Sequence, residues 1–261
     1  MKDLLTLSCI QYNIQWEATE SNIETLDKLI SGIPPGTDLV ILPEMFATGF
    51  SMNTGTVAED RDGITLSWMK SKAKSTGAVI LGSIPFRETA FFSNRLWVVY
   101  PNGKTSYYDK RHLFSYAGES MHYSRGNKLL EVDLHGWKIV PLLCYDLRFP
   151  VWSRNAEGYD LLIYLANWPA SRMPAWKTLL AARAIENQCF VIGVNRTGTD
   201  GDGIIYNGNS RAIDAAGLTI SNAGQRRELV QSLTLSMTEL IKFRKEFPFL
   251  ADKDNFTIHT T

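Results

Sequence analysis

Apolar and polar positions along the chain follow two periods, one typical of strands and one typical of amphipathic helices. Residues 4–14 alternate in polarity as a strand does, and residues 19–30 place their apolar side chains on one helical stripe. Short, mainly apolar runs at residues 38–44 and 78–85 are typical of strands in a sheet that helices cover. With a predicted helix at residues 66–75 between them, the first part of the chain reads β-α-β-α-β.

The second part of the chain continues this alternation, although no sequence repeat relates the two parts. Hairpins are predicted around residues 101–103 and residues 135–136, where Pro-Asn-Gly and His-Gly pairs favour tight turns. Further predicted elements are a helix near residues 151–157, a strand at 161–166, a helix from Pro174 to about Asn187, a strand at 189–195, a flexible glycine-rich loop at 198–208, strands near 209–213, 219–221 and 228–235, and a last helix from Ser236 to Phe247.

Composition is that of an ordinary globular protein, with 44% hydrophobic and 21% charged residues. The 27 basic and 27 acidic residues cancel, which argues against electrostatic binding to nucleic acid or to an anionic membrane. Residues 1–9 lack the apolar segment of a signal peptide, and no apolar run approaches the roughly 18 residues of a membrane span. Cys9 and Cys189 are expected to be inert core thiols, and an odd cysteine count favours a reduced, cytoplasmic protein.

One stretch ends a predicted buried strand with a nucleophilic side chain. Residues 137–143 are mostly apolar, Cys144 follows them, and polar residues precede Pro150. A strand that stops at a nucleophile and turns sharply into a helix is one way in which α/β enzymes present a reactive group. A cysteine at a strand end is also an ordinary core residue, so the assignment depends on the rest of the chain.

Two charged residues stand at the ends of other predicted strands. Glu44 ends the run that begins at residue 38, and Lys110 follows the strand at residues 104–109. A buried carboxylate or ammonium group is costly alone and tolerable beside an opposite charge. These residues therefore suggest one pocket shared with Cys144.

The segments around these three residues resemble the Glu, Lys and Cys motifs of the nitrilase superfamily of carbon–nitrogen hydrolases. They are LPEMF at residues 42–46, YDKRHLF at residues 108–114 and LCYDLRF at residues 143–149, in the order that the family has. Residues 167–169, 182–188 and 208–210 are also similar to segments of the family. Within the superfamily the resemblance is nearest to bacterial omega-amidases, which hydrolyse the side-chain amide of 2-oxo dicarboxylic monoamides.

The resemblance implies an α/β (α+β) fold of the four-layer αββα sandwich type, formed by residues 1–261 as a single domain. It also implies a homodimer, in which the predicted helix and tail at residues 236–261 are candidates for the interface. The implied reactants are a small amide and water, with no cofactor, no metal ion, no nucleic acid and no membrane. Phe247, Phe249 and Phe256 would have a use in such an interface, or pack on their own domain.

The chemistry of the three residue types suggests how such a site would work. Cys144 needs a base near neutral pH, because a free thiol has a pKa of about 8.5. Glu44 is expected to take the thiol proton, to donate a proton to departing ammonia and to activate the water that hydrolyses a thioester. Lys110 and the backbone N–H of Tyr145 are expected to stabilise the oxyanion.

Further site residues are predicted with a structural alternative beside each. Glu119 stands where the family often has a second glutamate that holds Lys110 or positions substrate, and it is otherwise a solvated loop carboxylate. Arg148 suits a substrate carboxylate remote from the amide, or an internal ion pair with Asp146 or another acidic residue. Aromatic residues predicted as pocket walls, or else as plain core, are Phe50, Trp168 and Trp176.

Three other functions remain open from the sequence. A papain-like hydrolase would activate Cys144 with His112 or His122, whereas His112 is structural under the leading hypothesis and His135 is a turn residue. A non-catalytic binding module would keep only the fold. A nitrilase relative with another substrate would hydrolyse a nitrile, a ureido compound or an aliphatic amide, because pocket loops rather than the three motifs select the substrate.

Overall fold

The computed structural model describes residues 2–259, and most of its strands belong to two six-stranded sheets. In spatial order the first sheet contains β14 (Leu229–Ser236), β1 (Leu4–Gln11), β2 (Leu39–Ile41), β3 (Val79–Glu88), β4 (Phe91–Val99) and β5 (Thr105–Asp109). The second contains β13 (Thr219–Asn222), β12 (Arg211–Ile213), β9 (Phe190–Asn195), β8 (Leu161–Ala166), β7 (Trp137–Leu143) and β6 (Val132–Leu134). Parallel pairs join β1, β2 and β3 in the first sheet and β7, β8 and β9 in the second.

Three long helices cover the outer faces of the two sheets: α1 (Thr19–Ile30) and α3 (Ile64–Thr76) lie on the first sheet, and α5 (Met173–Asn187) lies on the second. Two short helices, α2 (Thr54–Val57) and α4 (Glu119–His122), lie in connecting segments, and α6 (Met237–Glu246) follows β14. The predicted cap of α6 is confirmed, because Ser236 Oγ accepts a hydrogen bond from the Glu239 N–H at 3.3 Å. Among residues 2–259, no helix has the length and apolar character needed to cross a lipid bilayer.

The central strands β2, β8 and β9 are buried on both faces of their sheets, which explains why they are almost wholly apolar. Leu39 and Ile41 belong to the core between the two sheets, and Val40 and Leu42 to the core under α1 and α3. On the outer face of the second sheet α5 packs directly on β9, where a Cβ atom at Gly193 would come within 2.6 Å of two α5 side chains. This order of layers is the predicted αββα sandwich.

The helix predicted near residues 151–157 is absent, so that prediction was wrong. Cys144–Arg148 forms one 3-10 turn instead, and irregular turns follow it up to β8. Asn155 Oδ1 accepts hydrogen bonds from the N–H groups of Gly158 and Tyr159 at 2.9 and 2.8 Å. A short polar side chain that binds nearby backbone in this way closes a loop in place of a helix.

The predicted flexible loop at residues 198–208 is instead a hairpin of two short strands, β10 (Thr197–Thr199) and β11 (Ile205–Asn207). Asp200 orders the turn between them, since its Oδ1 accepts from the N–H groups of Asp202 and Ile204 at 3.0 and 2.9 Å. Its Oδ2 also accepts from the Tyr206 hydroxyl at 2.7 Å. The glycines permit this turn, and the aspartate fixes it.

Smaller predictions from the sequence hold in the structure. His135 lies in the turn between β6 and β7 with a φ of 57°. Cys9 and Cys189 are free and buried, and burial raises the pKa of Cys9 to about 12, as expected of an inert core thiol.

Candidate active site

Four strand ends meet where the two sheets face each other. Lys110, Cys144 and Asn167 directly follow β5, β7 and β8, and Glu44 comes three residues after β2. Glu44 and Lys110 extend from the first sheet, and the other two residues extend from the second. The pocket suggested by the three sequence motifs therefore exists, and it depends on both sheets.

Lys110 is the centre of a fully buried cluster of charges. Its Nζ donates to Glu44 Oε1 at 2.8 Å and to the two carboxylate oxygens of Glu119 at 3.0 and 2.9 Å. All three side chains have an exposed fraction of 0%. Burial alone would lower the pKa of Lys110, but the charges of Glu119 and Glu44 outweigh it and raise that pKa. The ammonium group therefore stays charged and is unsuited to act as a base.

Glu119 is part of this cluster, so the alternative of a solvated loop carboxylate is wrong. It is the first residue of α4, and its Oε2 also accepts from the Phe114 N–H at 2.5 Å. Burial raises the pKa of Glu119, while the Lys110 charge opposes that rise and the Glu44 charge adds to it. Glu119 thus holds Lys110 in place, and burying its carboxylate costs desolvation free energy.

Asn94 is a residue of the site that the sequence did not reveal. Its Nδ2 donates to Glu44 Oε1 at 2.9 Å and to Glu119 Oε1 at 3.2 Å, so one neutral amide joins the two carboxylates. Its carbonyl oxygen accepts from the Lys110 N–H at 3.1 Å. The available signal was an asparagine inside β4, where a buried polar side chain requires partners.

Cys144 begins the 3-10 turn with a positive φ of 37°, a backbone conformation that non-glycine residues seldom adopt. The side chain is half-buried, and its Sγ lies 3.8 Å from the carbonyl oxygen of Asn167. Burial raises the pKa of Cys144 well above the usual thiol value, and the negative charge of Glu44 raises it further, although Lys110 opposes this. In the resting site the sulfur is therefore a protonated thiol that needs a base.

Asn167 fixes Glu44 across the gap between the sheets. The Asn167 N–H donates to Glu44 Oε2 at 2.9 Å, and Asn167 Nδ2 donates to the Glu44 carbonyl oxygen at 2.6 Å. The Asn167 side-chain oxygen has no protein partner among the described residues and lies at the pocket. The sequence marked residues 167–169 by resemblance without giving Asn167 this role.

Asp146 connects the lysine segment to the cysteine turn, a role that the sequence did not show. It is fully buried and accepts from the Tyr108 hydroxyl, the His112 and Leu143 N–H groups and the His112 ring, all at 2.8–3.1 Å. These contacts tie residues on both sides of Lys110 to residues on both sides of Cys144. Because Asp146 is occupied in this way, it forms no ion pair with Arg148 in the described part of the chain.

Neither histidine of the papain-like alternative lies in a position to activate Cys144. His112 Nδ1 is 2.8 Å from Asp146 Oδ1, and the His112 ring stacks on Phe149 at a centroid distance of 3.8 Å. His122 is exposed at the end of α4. The structural role expected for His112 under the leading hypothesis fits these contacts.

Cys144 and Lys110 open into a pocket of about 460 Å³ that is continuous with solvent. Predicted residues that line it are Phe50, Tyr145, Arg148 and Trp168. Arg148 is exposed, and its guanidinium lies 5.2 Å from the ring centroid of Trp168. Arg172, Phe114 and Tyr206 also line the pocket and were not predicted from the sequence.

Trp176 does not line this pocket, so its assignment as a pocket wall was wrong. It lies on α5 with an exposed fraction of 0%, and its Nε1 donates to the Asn209 carbonyl oxygen at 3.0 Å. Its ring packs against Trp168 at a centroid distance of 5.4 Å. Trp176 supports the wall from behind, because the helix that carries it packs on the outer face of the second sheet.

Comparison with known proteins finds a matching family model and similar proteins. A family model described as carbon–nitrogen hydrolase matches residues 6–245. Omega-amidase YafV of Escherichia coli (strain K12) is 42% identical over 254 residues, covering 97% of this chain and 98% of that protein. The 2-oxoglutaramate amidase of Bacillus subtilis (strain 168) is 33% identical over 252 residues, covering 95% and 96%.

A solved structure is similar over nearly the whole length. XC1258 from Xanthomonas campestris, described as a CN-hydrolase superfamily protein with an arsenic adduct in the active site, has a TM-score of 0.95 and 42% identity. The match covers 99% of this chain and 100% of that one.

Proposed function

Because this chain belongs to the carbon–nitrogen hydrolase family, and is an amidase within it, we propose that its substrate is the side-chain amide of a 2-oxo dicarboxylic monoamide such as 2-oxoglutaramate or 2-oxosuccinamate. One observation carries the proposal: Cys144 and the cluster of Lys110 open into the same pocket as Arg148, which has no ionic partner among the described residues. The thiol would meet the amide while the guanidinium binds the carboxylate at the other end.

The first half of the reaction forms a thioester. Cys144 Sγ attacks the amide carbon as the thiol proton passes to Glu44, and the carbonyl electron pair moves onto oxygen. When the tetrahedral intermediate collapses, Glu44 returns the proton to nitrogen, the C–N bond breaks and ammonia leaves. The Asn167 N–H holds the Glu44 carboxylate and the Asn167 side-chain amide holds the Glu44 backbone, so the carboxylate is already oriented for both transfers.

The second half of the reaction hydrolyses the thioester. Glu44 accepts a proton from water as the water oxygen attacks the thioester carbon, and a second tetrahedral intermediate forms. When it collapses, the C–S bond breaks, Glu44 passes its proton to the Cys144 sulfur, and the dicarboxylic acid leaves and loses its remaining proton to solvent. The same carboxyl group thus serves both halves, and no second base is needed.

The oxyanion of both intermediates has two donors in this proposal. Lys110 makes two contacts with the same Glu119 carboxylate, so one N–H can turn to the oxyanion while the other keeps that partner. Tyr145 is the second residue of the 3-10 turn, where backbone N–H groups have no partner within the turn. Loss of one such donor typically slows turnover by about 10²–10³-fold.

The test is an ammonia-release assay with 2-oxoglutaramate, 2-oxosuccinamate, glutamine, asparagine and a simple nitrile. We expect the two oxo acids to be turned over fastest, and mass spectrometry of the quenched reaction to show an acyl group on Cys144. Cys144→Ala should abolish both signals. Faster turnover of glutamine or of the nitrile would contradict the proposed substrate, and turnover without an adduct in rapid-quench samples would contradict the thioester.

A further inference from the structure

A second arginine faces the pocket beside Arg148. Arg172 ends the 3-10 turn Ala170–Arg172, just before α5, and its guanidinium lies 4.7 Å from the ring centroid of Phe114. The pocket lining contains Lys110, Arg148 and Arg172 and no acidic side chain among the residues that the structure describes. The surface that meets a ligand is therefore cationic.

The two arginines differ from Lys110 in having no internal counter-charge. Glu44 and Glu119 offset the Lys110 charge, whereas neither Arg148 nor Arg172 takes part in a salt bridge within residues 2–259. Over the same residues neither guanidinium donates a hydrogen bond to the protein, and each lies over an aromatic ring. Stacking on a ring leaves the five N–H donors of each guanidinium available to a ligand.

Trp168 sets the position of both arginines. Its ring lies under Arg148, and its Nε1 donates to the Arg172 carbonyl oxygen at 2.9 Å. Trp168 is itself only 3% exposed, and its N–H donates to Asn195 Oδ1 at 2.8 Å. Trp168 thus supports the Arg148 guanidinium with its ring and the Arg172 backbone with its Nε1, while Phe114 lies beside the Arg172 guanidinium. Side chains supported in this way lose less freedom when a ligand binds both of them.

We infer that Arg172 is a specificity-determining residue that binds the 2-oxo oxygen of the substrate while Arg148 binds the adjacent carboxylate, an inference that rests on the proposed function. A carboxylate next to a ketone presents three oxygens in one plane, which two guanidinium groups can share. Glutamine and asparagine carry an ammonium group where the substrate carries the ketone. That charge would face Arg172, so the arginine pair rejects amino acids as well as binding oxo acids.

Kinetics of Arg172→Met test this inference, with 2-oxoglutaramate compared with glutaric acid monoamide, which lacks the ketone. We expect kcat/KM for the oxo acid to fall about 10–100-fold, mainly through KM, and kcat/KM for the other amide to change little, because only the ketone loses its donors. Arg172→Lys keeps the charge without the planar guanidinium, so its kcat/KM for the oxo acid should lie between those of the unmodified protein and Arg172→Met. Equal losses for the two substrates, or no loss, would overturn the inference.

Arg61→Met is the matched control, since Arg61 is exposed and outside the pocket lining. It should leave both rates unchanged. Circular dichroism shows whether Arg172→Met is folded, and if it is not, Arg172→Lys is compared with the unmodified protein instead. A weaker preference of folded Arg172→Lys for 2-oxoglutaramate over glutaric acid monoamide would support the inference. An unchanged preference would overturn it.

A second readout does not depend on the substrate. Iodoacetate and iodoacetamide both alkylate a thiol with loss of iodide, but only iodoacetate is an anion. The rate of Cys144 alkylation by iodoacetate divided by the rate with iodoacetamide therefore measures how strongly nearby cations attract an anion. Arg148→Met and Arg172→Met should each lower this ratio, and Arg61→Met should not. A ratio that depends on Arg172 without turnover of oxo acids would contradict only the proposed function. A ratio that ignores Arg172 while oxo acids are turned over would contradict only the inference.

Discussion

In the proposed mechanism, a proton passes from Cys144 to Glu44. Burial and the Glu44 charge raise the pKa of the thiol, so a free thiolate is disfavoured until a substrate is attacked. Such a nucleophile resists oxidation and adventitious alkylation between turnovers, because the thiolate is the reactive form. Under the proposed mechanism, Glu44 makes the thiol reactive by accepting its proton as the substrate is attacked.

Glu44→Gln separates the charge of Glu44 from its role as a base. Removing the negative charge should lower the pKa of Cys144, because Lys110 then acts on the thiol with one fewer opposing carboxylate. Turnover should nevertheless be lost. Thiolate absorbance near 240 nm, corrected with Cys144→Ser, measures the pKa, and Glu24→Gln on the exposed face of α1 is the control. An unchanged or higher thiol pKa in Glu44→Gln would contradict this electrostatic account.

Lys110→Met should be destabilised by about 3–5 kcal/mol near pH 8, because it leaves two buried carboxylates without their cation. Lys110 opposes the raised pKa of Glu119, so that pKa should rise further in the variant. Protonation then removes the uncompensated charge, and the deficit should shrink as the pH falls toward 5. Urea denaturation at several pH values measures this, with Lys70→Met as an exposed control. A deficit that is constant with pH would show that packing, rather than charge, is lost.

At the scale of elements, the sequence pattern predicted most strands and helices and the site residues that stand at strand ends. Glu44, Lys110 and Cys144 each stand at the end of a predicted strand, and the resemblance of the three segments around them to the motifs of the family suggested their roles. Asn94 lies inside a strand and binds side chains that are 25 and 50 residues away along the chain. Asp146 lies inside a turn and binds residues that are 34 and 38 residues away. A local sequence pattern does not show contacts of this kind. The missing helix at residues 151–157 has a local cause, since the Asn155 side chain competed with helical hydrogen bonds.

Asp146→Asn tests whether the cysteine turn and the lysine segment are held as one unit. An amide offers two donors where the carboxylate accepted from Tyr108, His112 and Leu143, so at least one buried donor would lose its partner. We expect kcat to fall about 10–100-fold in a folded protein, through misplacement of Cys144 relative to Lys110. Steady-state kinetics and circular dichroism measure the two effects, with the exposed Asp62→Asn as control. Unchanged kcat would show that the two segments are positioned independently.

At the scale of the molecule, both sheets contribute to the core between them and to the site at its edge. The pairing of β14 with β1 returns the chain to the first sheet after the second is complete. Glu44 of one half is hydrogen-bonded to Asn167 of the other, so separation of the sheets would dismantle the site. The four-layer architecture is thus a condition for catalysis.

The C-terminal segment leaves aromatic side chains exposed, and we propose that a second copy of the chain covers them. Phe249 is 64% exposed, and Phe247 and Phe256 are 37% and 47% exposed. The ring centroids of Phe247 and Phe249 lie 5.8 Å apart, and adjacent exposed aromatic side chains are typical of an interface. Sedimentation at micromolar concentration should show a dimer that Phe249→Asp weakens at least tenfold and Phe91→Asp, at a similarly exposed position, does not. A monomer in the unmodified protein would contradict this.

The positive φ of Cys144 affects the stability of variants that lose the thiol. A left-handed conformation costs a non-glycine residue about 1–2 kcal/mol, and glycine avoids most of that cost. Cys144→Gly should therefore unfold at a higher urea concentration than Cys144→Ala, although both lack the thiol. In a duplicated gene released from selection for turnover, a change of this codon to glycine would remove the thiol and stabilise the fold. Descendants with glycine at position 144 should then be inactive and still keep the sandwich.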